Sequence, residues 1–283
     1  MQLLKYEDFK TELLGGIKRC VPEKYKGYSI EMHRIPKDSE ILDGICIHDK
    51  SASKAVSPVI YADDFYKKYT DGEKLDAVIG DAATLLFGYF ENMDIDINNP
   101  EENIVPVLMN RNVLPPNAVH IPFLDIEIAF RWIMANDKNG IYGTLITEEI
   151  LKAFSINKDT LLDKAKANMK RLMPISVAPL KDFVADVAEN PIPAYVITSK
   201  DGTNGTAYIL HDEVLKVLKD IFKTDFYILM PCTHEALVIP QGFMSLDSIK
   251  QFLSHVKADL NLDKDEQLSD SIYKYSDRIE VVK

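Results

Sequence analysis

The chain has 283 residues, 46% of them hydrophobic and 27% charged, a composition that buries a real core in one large domain or two ordinary ones. Its net charge of −11 has the wrong sign for a large nucleic-acid footprint or an anionic membrane surface, both of which need clustered Lys and Arg. No apolar run reaches the roughly 18 residues that cross a bilayer, the N-terminus has no apolar signal core, and Cys20, Cys46 and Cys232 show no CxxC spacing, so reduced thiols in a cytoplasm are the expectation.

In chain order, Tyr6, Phe9, Leu13, Ile17 and Cys20 repeat at helical spacing, and the helix they predict carries Gly15 and Gly16, as if it packed closely on a sheet. Strands are predicted at Tyr28–Ile35, Ile41–His48 and Pro58–Tyr61, the first two joined by a turn at Lys37–Ser39. Helices follow at Asp63–Tyr69 and Leu75–Phe90. Residues 91–103, ENMDIDINNPEEN, are acidic and turn-rich and read as a linker.

Beyond it, Ile104–Met109 is a short strand. His120–Ala135 alternates for so long that one strand is predicted, with Leu124, Ile126, Ile128, Phe130 and Trp132 on one face. Phe123, Asp125, Glu127, Ala129 and Arg131 take the other. Asp137–Gly140 turns it onto Ile141–Ile146. Helices are predicted at Thr147–Phe154 and Asp159–Leu172, and strands at Ala194–Thr198 and Thr206–Leu210. Asp212 is placed to cap a helix whose apolar face is Val214, Val217, Leu218 and Ile221. Asp225–Pro240, DFYILMPCTHEALVIP, reads as two buried strands joined by the polar tetrapeptide Cys232–Glu235. An amphipathic helix (Leu246, Ile249, Leu253, Val256, Leu260) and strands at Ser271–Tyr275 and Arg278–Val282 close the chain.

Strands in hairpins with helices between them predict an α+β fold with antiparallel or mixed sheets. It divides into an N-terminal helix–three-strand–helix lobe, 1–98, and a C-terminal α+β lobe, 99–283. The N-terminal order is also that of the metal-dependent nuclease core. Asp43 fits its first acid, but the third strand, Ser57–Tyr61, lacks the acid and Lys such a core requires. No glycine-rich phosphate loop is present, and no cofactor is expected.

Two constellations carry candidate chemistry. Cys232 and His234 share a face in an extended chain and could form a thiolate–imidazolium pair or half a metal site. Glu235 beside them completes the candidate catalytic set. The competing reading is a strand joint whose polar groups bond to the backbone. Asp125 and Glu127, two apart with Arg131 beyond, are candidate ligands for a divalent ion, set against a solvated strand face. In LSDSIYKY, Ser269 suits a cap or turn, and Tyr273 and Tyr275 one strand face. No GxSxG elbow marks a nucleophile.

Taken together, SPVIYADDFYKKYTDG, AKANMKRLMP, the segment Ala194–Leu210, YILMPCTHEALVIP and LSDSIYKY resemble the bacterial family known as domain of unknown function 5688, over nearly the whole chain. The last third also resembles domain of unknown function 1444. The resemblance implies a cytoplasmic bacterial protein of the kind carried on mobile or prophage-like DNA, and it implies no activity and no residue role. The reading that follows is a non-catalytic binding or adaptor protein for a protein or small-molecule ligand, with no nucleic acid and no membrane as partner. The alternatives are a hydrolase or transferase built on Cys232 and His234, and an acidic inhibitor or accessory factor of a mobile element. The last requires Asp94, Asp96, Glu101 and Glu102 to gather with other acids on one face.

Overall fold

A computed structural model describes residues 3–37, 40–48, 57–92, 99–137, 140–182, 194–260 and 262–282. They form two compact units, Met1–Ile95 and Asp96–Lys283. The fold is α+β, and its paired strands run antiparallel. Among the described residues, no helix is long and apolar enough to cross a membrane.

In the first unit, α1 (Tyr6–Arg19) precedes β1 (Ser29–Lys37), β2 (Glu40–His48) and β3 (Val59–Tyr61), and α2 (Ala62–Thr70) and α3 (Leu75–Asn92) follow. The sheet order is β1-β2-β3. The i, i+4, i+8 spacing of Phe9, Leu13 and Ile17 puts all three on one face of α1, where they are fully buried against α2 and α3 residues such as Phe65, Val78 and Leu86. The expected close approach at the glycine pair is real at Gly16 but involves a helix. A Cβ there would stand 2.6 Å from Ile79 of α3, whereas one on Gly15 would meet only the Arg19 side chain. Residues 38 and 39 of the predicted turn, and 93–98 of the predicted linker, lie outside the described residues. The remainder of that linker is the end of α3 and a short 3₁₀ turn, Pro100–Asn103, in which Pro100 is buried.

The second unit holds two sheets. In one, β6 (Ile126–Asp137) pairs with β4 (Ile104–Met109), β5 (His120–Phe123) and β7 (Gly140–Leu145). After α4 (Glu148–Phe154), α5 (Lys158–Leu172) packs on β4, where the buried Asn168 amide donates to the carbonyls of Glu101 and Ile104. The other sheet contains β8 (Ile175–Pro179), β9 (Tyr195–Ser199), β10 (Phe226–Leu229), β11 (Ala236–Pro240), β12 (Ile272–Tyr275) and β13 (Ile279–Val281). Their order is β13-β12-β10-β11-β9-β8. Its Val196, Leu237, Leu229 and Ile272 face α7 (Leu246–Leu260), which buries Ile249 and Leu253 on them. β8, with its closing proline at the sheet edge, had no counterpart in the sequence reading.

Three expectations are corrected. His120–Ala135 is not one strand. The chain reverses at Leu124-Asp125, pairing Phe123 with Ile126, so Phe123 shares a face with Ile126 and Ile128. Leu124 makes the turn in a left-handed conformation, φ 55°, which costs a non-glycine residue about 1–2 kcal/mol and carries no glycine signal to read. Thr206–Leu210 is not a strand but part of a buried 3₁₀ segment, Gly205–Leu210; a short apolar run does not distinguish the two by periodicity. The third correction concerns α6 (Asp212–Phe222), which buries Leu215 and Leu218 and leaves Val217 and Ile221 57% and 58% exposed. Its N-cap position is His211, with Asp212 the first helical residue.

Candidate functional site

The predicted central strands are β10 and β11, an antiparallel pair with Phe226 opposite Pro240 and Leu229 opposite Leu237. Between them the CTHE tetrapeptide is knitted into two other loops. Thr206 Oγ1 donates to the Cys232 carbonyl at 2.8 Å. Thr198 Oγ1 and the Gly205 amide both donate to the His234 carbonyl, at 3.0 and 2.9 Å. The Thr233 amide donates to the Glu266 carbonyl at 2.9 Å. Gly205 is required here because a Cβ would lie 2.2 Å from Thr198 Cα.

The imidazole of half-buried His234 is held from both sides. Its Nδ1 accepts from the Asn204 amide at 3.3 Å, which leaves the ring proton on Nε2, 3.3 Å from Glu266 Oε1. Cys232 is buried and its thiol contacts the Glu235 carbonyl at 3.9 Å. Burial pushes that thiol's pKa up, the reverse of what a nucleophilic cysteine needs. Glu235 is raised by burial too, with the nearby His234 acting against it. The three candidates are therefore adjacent in sequence and separately engaged: the imidazole turns to Asn204 and Glu266, the thiol to a backbone carbonyl.

Asp125 and Glu127 are also parted. Asp125 stands in the β5–β6 turn, where its Oδ1 accepts from Tyr273 at 2.5 Å. Its Oδ2 accepts from Ser269 at 3.0 Å and Ser271 at 2.8 Å. Burial alone would raise its pKa, but the three hydroxyl donors outweigh that and hold the carboxyl below the usual range. Burial and the same carboxylate drive the Tyr273 phenol upward. Glu127 lies on β6, 4% exposed, so its strand face is not solvated. Arg111 Nε donates to its Oε1 at 2.7 Å, and its Oε2 is buried with no hydrogen-bond partner. Among the described residues, no three His, Cys, Asp or Glu side chains gather as a metal site.

Sequence reasoning missed Ser269, Ser271 and Tyr273 as a set. Their i, i+2, i+4 spacing is legible, since an extended chain puts all three on one side, but nothing in it names Asp125 as the acceptor. It also missed a cleft of 390 Å³ in the second unit. Phe123, Ile128, Leu162, Ile209 and Ile279 give this cleft an apolar wall, and Lys166, Asp212, Asp277 and Arg278 bring charge to it. Asp277 is paired with Lys219, and Arg278 with Glu280. Among the described residues, Lys166 and Asp212 have no ion-pair partner. Both line the cleft, and the Lys166 charge acts on His211, the residue before Asp212. His211 itself is buried with its ring against Tyr208, and burial lowers its pKa despite nearby Glu213.

The model of the Family of unknown function (DUF5688) matches residues 6–277. No curated protein and no solved structure matches the chain.

Proposed function

The chain belongs to the Family of unknown function (DUF5688), and because that description carries no activity we propose from geometry that it is a non-catalytic binding protein. Its ligand is an apolar α-amino acid held in the cleft of the second unit. The observation that carries this is the pairing of an apolar wall with two uncompensated opposite charges, Lys166 and Asp212. An α-amino acid presents carboxylate and ammonium from one carbon, and its side chain takes the apolar wall. A volume of 390 Å³ is within the range of small-ligand sites.

The alternative of a Cys232/His234 hydrolase or transferase has less support, since thiol and imidazole face different partners and the thiol's pKa is raised. For the acidic accessory factor, Asp94 and Asp96 lie outside the described residues, and Glu101 is paired with Lys164. The similarity of the last third to domain of unknown function 1444, and the bacterial cytoplasmic setting, belong to this proposal and add no chemistry to it.

The test is calorimetric titration of the full chain with L-phenylalanine, its amide and its N-acetyl derivative. Saturable binding of the free amino acid is expected, with about tenfold loss for each blocked form and for Lys166→Ala and Asp212→Ala. Equal heats from free phenylalanine and both blocked forms, or an isotherm indifferent to both substitutions, would count against the cleft as the site.

A further inference from the structure

The exposed face of α6 is apolar and carries a charge order that is complementary to itself in reverse. With successive residues 100° apart, Val214, Val217 and Ile221 form one stripe beside the buried Leu215 and Leu218. The apolar arc of this helix is thus wider than its own unit covers, and Val217 and Ile221 are more than half exposed. Along the flank of the stripe away from the core run Glu213, Lys216 and Asp220, spaced 3 and 4 residues apart, and Lys223 follows at the C-cap position just beyond the helix, in a left-handed conformation with φ 57°. The signs read minus, plus, minus, plus.

We propose that α6 is the contact surface for a second copy of this chain, laid antiparallel across a twofold axis near Val217 and Leu218. In an antiparallel helix pair each flank meets the same flank of its partner running the other way. The order minus, plus, minus, plus then faces plus, minus, plus, minus. Glu213 of one copy meets Lys223 of the other, and Lys216 meets Asp220, each twice by symmetry. A parallel twofold pair would set this flank against the partner's opposite one, the side of the buried Leu215 and Leu218, and leave its charges unpaired, so the pattern selects the antiparallel arrangement. Val214 packs on Ile221 of the other copy, and the two Val217 side chains meet at the axis. Among the described residues, the side chains of Lys216, Asp220 and Lys223 engage no partner within the chain. Glu213 is bound to Lys170 at 2.6 Å but is 56% exposed at its side chain, so it can take a second cation.

The helix has 11 residues, about 16 Å at 1.5 Å each. A contact of that length buries less than the roughly 1,200–2,000 Å² of a standard stable interface. The dimer is therefore weak, forming at roughly tens to hundreds of micromolar protein, and added salt weakens it.

Sedimentation equilibrium of the full chain over a concentration series tests this. The weight-average mass is expected to climb toward twice the monomer, and Val217→Ser with Ile221→Ser to hold it at the monomer. Lys216→Glu alone and Asp220→Lys alone each set like charges across the axis and are expected to weaken association severalfold. An equimolar mixture of those two variants restores opposite charges in one arrangement and is expected to recover the wild-type mass. Far-UV circular dichroism of each variant confirms that it is folded. A wild-type protein that stays monomeric at the highest concentration overturns the proposal. So does a dimer untouched by the double serine variant, or folded charge variants that do not recover on mixing.

Discussion

Tyr273 donates a 2.5 Å hydrogen bond to Asp125 across 148 positions of chain, tying β12 to the tip of the β5–β6 hairpin. The phenol ring is fully buried, while Asp125 is an exposed residue that keeps the Ser269 and Ser271 donors when this bond is lost. Tyr273→Phe is expected to lower the unfolding free energy by about 2 kcal/mol, as for a bond to a charged acceptor. Ser271→Ala, at a more exposed donor, should lower it by about half as much. Urea denaturation of both variants checks the ranking, and a Tyr273→Phe midpoint equal to wild type contradicts it.

Two carboxylates give opposite pH dependences. Asp125 is depressed in the folded state, because its hydroxyl donors outweigh burial. Its contribution is present above the unfolded value near 3.9 and is lost as pH falls through the folded pKa. Glu235 is raised, chiefly by burial. The folded state then binds the extra proton just above pH 4, so this residue costs stability once pH has risen through its folded pKa. Asp125→Asn should flatten the acid limb of a stability–pH curve. Glu235→Gln should stabilise at pH 7 and leave pH 3 unchanged. Urea midpoints between pH 3 and 8 separate the two, and a destabilised Glu235→Gln at neutral pH reverses the assignment.

The three thiols should react in order of access. Cys20 is exposed, while Cys46 and Cys232 are buried with pKa values raised by burial, and none is in a disulfide. Native protein treated with iodoacetamide at pH 7.5 is expected to label the exposed Cys20 first, with Cys232 orders of magnitude slower until denaturant is added. Peptide mass spectrometry over a time course reads the rates. Cys232 labelling as fast as Cys20 would restore the nucleophile reading of the CTHE joint.

The pattern of local legibility follows from what each residue contacts. The apolar run on either side of CTHE was readable because both strands are buried and adjacent in sequence, so composition and pairing agree. The reversal at Leu124-Asp125 was not, because leucine in a left-handed turn opposes its own propensity, and the contact that ties the turn down, Asp125 to Tyr273, lies far along the chain. Period two then carried Phe123 to the wrong face. On α6, helical spacing placed Val214, Val217, Leu218 and Ile221 on one side correctly, but periodicity says only which residues are apolar together. The surrounding fold decides which of them it covers. The partners of His234, from Asn204 to Glu266, come from loops with no motif of their own.

Arg111 and Glu127 should behave as a pair in which one member needs the other more. Glu127 is 4% exposed and Arg111 is largely solvated. Arg111→Ala leaves a buried carboxylate without its charged donor and should cost about 2 kcal/mol. Replacing both with Arg111→Ala and Glu127→Leu removes the stranded charge and should cost less than Arg111→Ala alone. A double-mutant cycle in urea measures the coupling, and strict additivity would show that the 2.7 Å contact carries no stability.

Gly205 is where the joint around His234 is least tolerant. Its amide donates to the His234 carbonyl, and a Cβ would meet Thr198 Cα, its carbonyl carbon and the Ser199 nitrogen at 2.2, 2.5 and 2.6 Å. These are backbone atoms of β9, an inner strand of the six-stranded sheet, so no rotamer change relieves the clash. Gly205→Ala must push the 3₁₀ segment off the strand, breaking the Gly205 and Thr198 bonds to His234 together, and should cost about 3 kcal/mol or more. Gly202, by contrast, has φ 71° with open space around its Cβ, so Gly202→Ala should cost only about 1 kcal/mol, from backbone strain alone. Thermal and urea unfolding of the two alanine variants gives the comparison. If Gly205→Ala is no worse than Gly202→Ala, the close approach of these two backbones does not hold the CTHE turn in place.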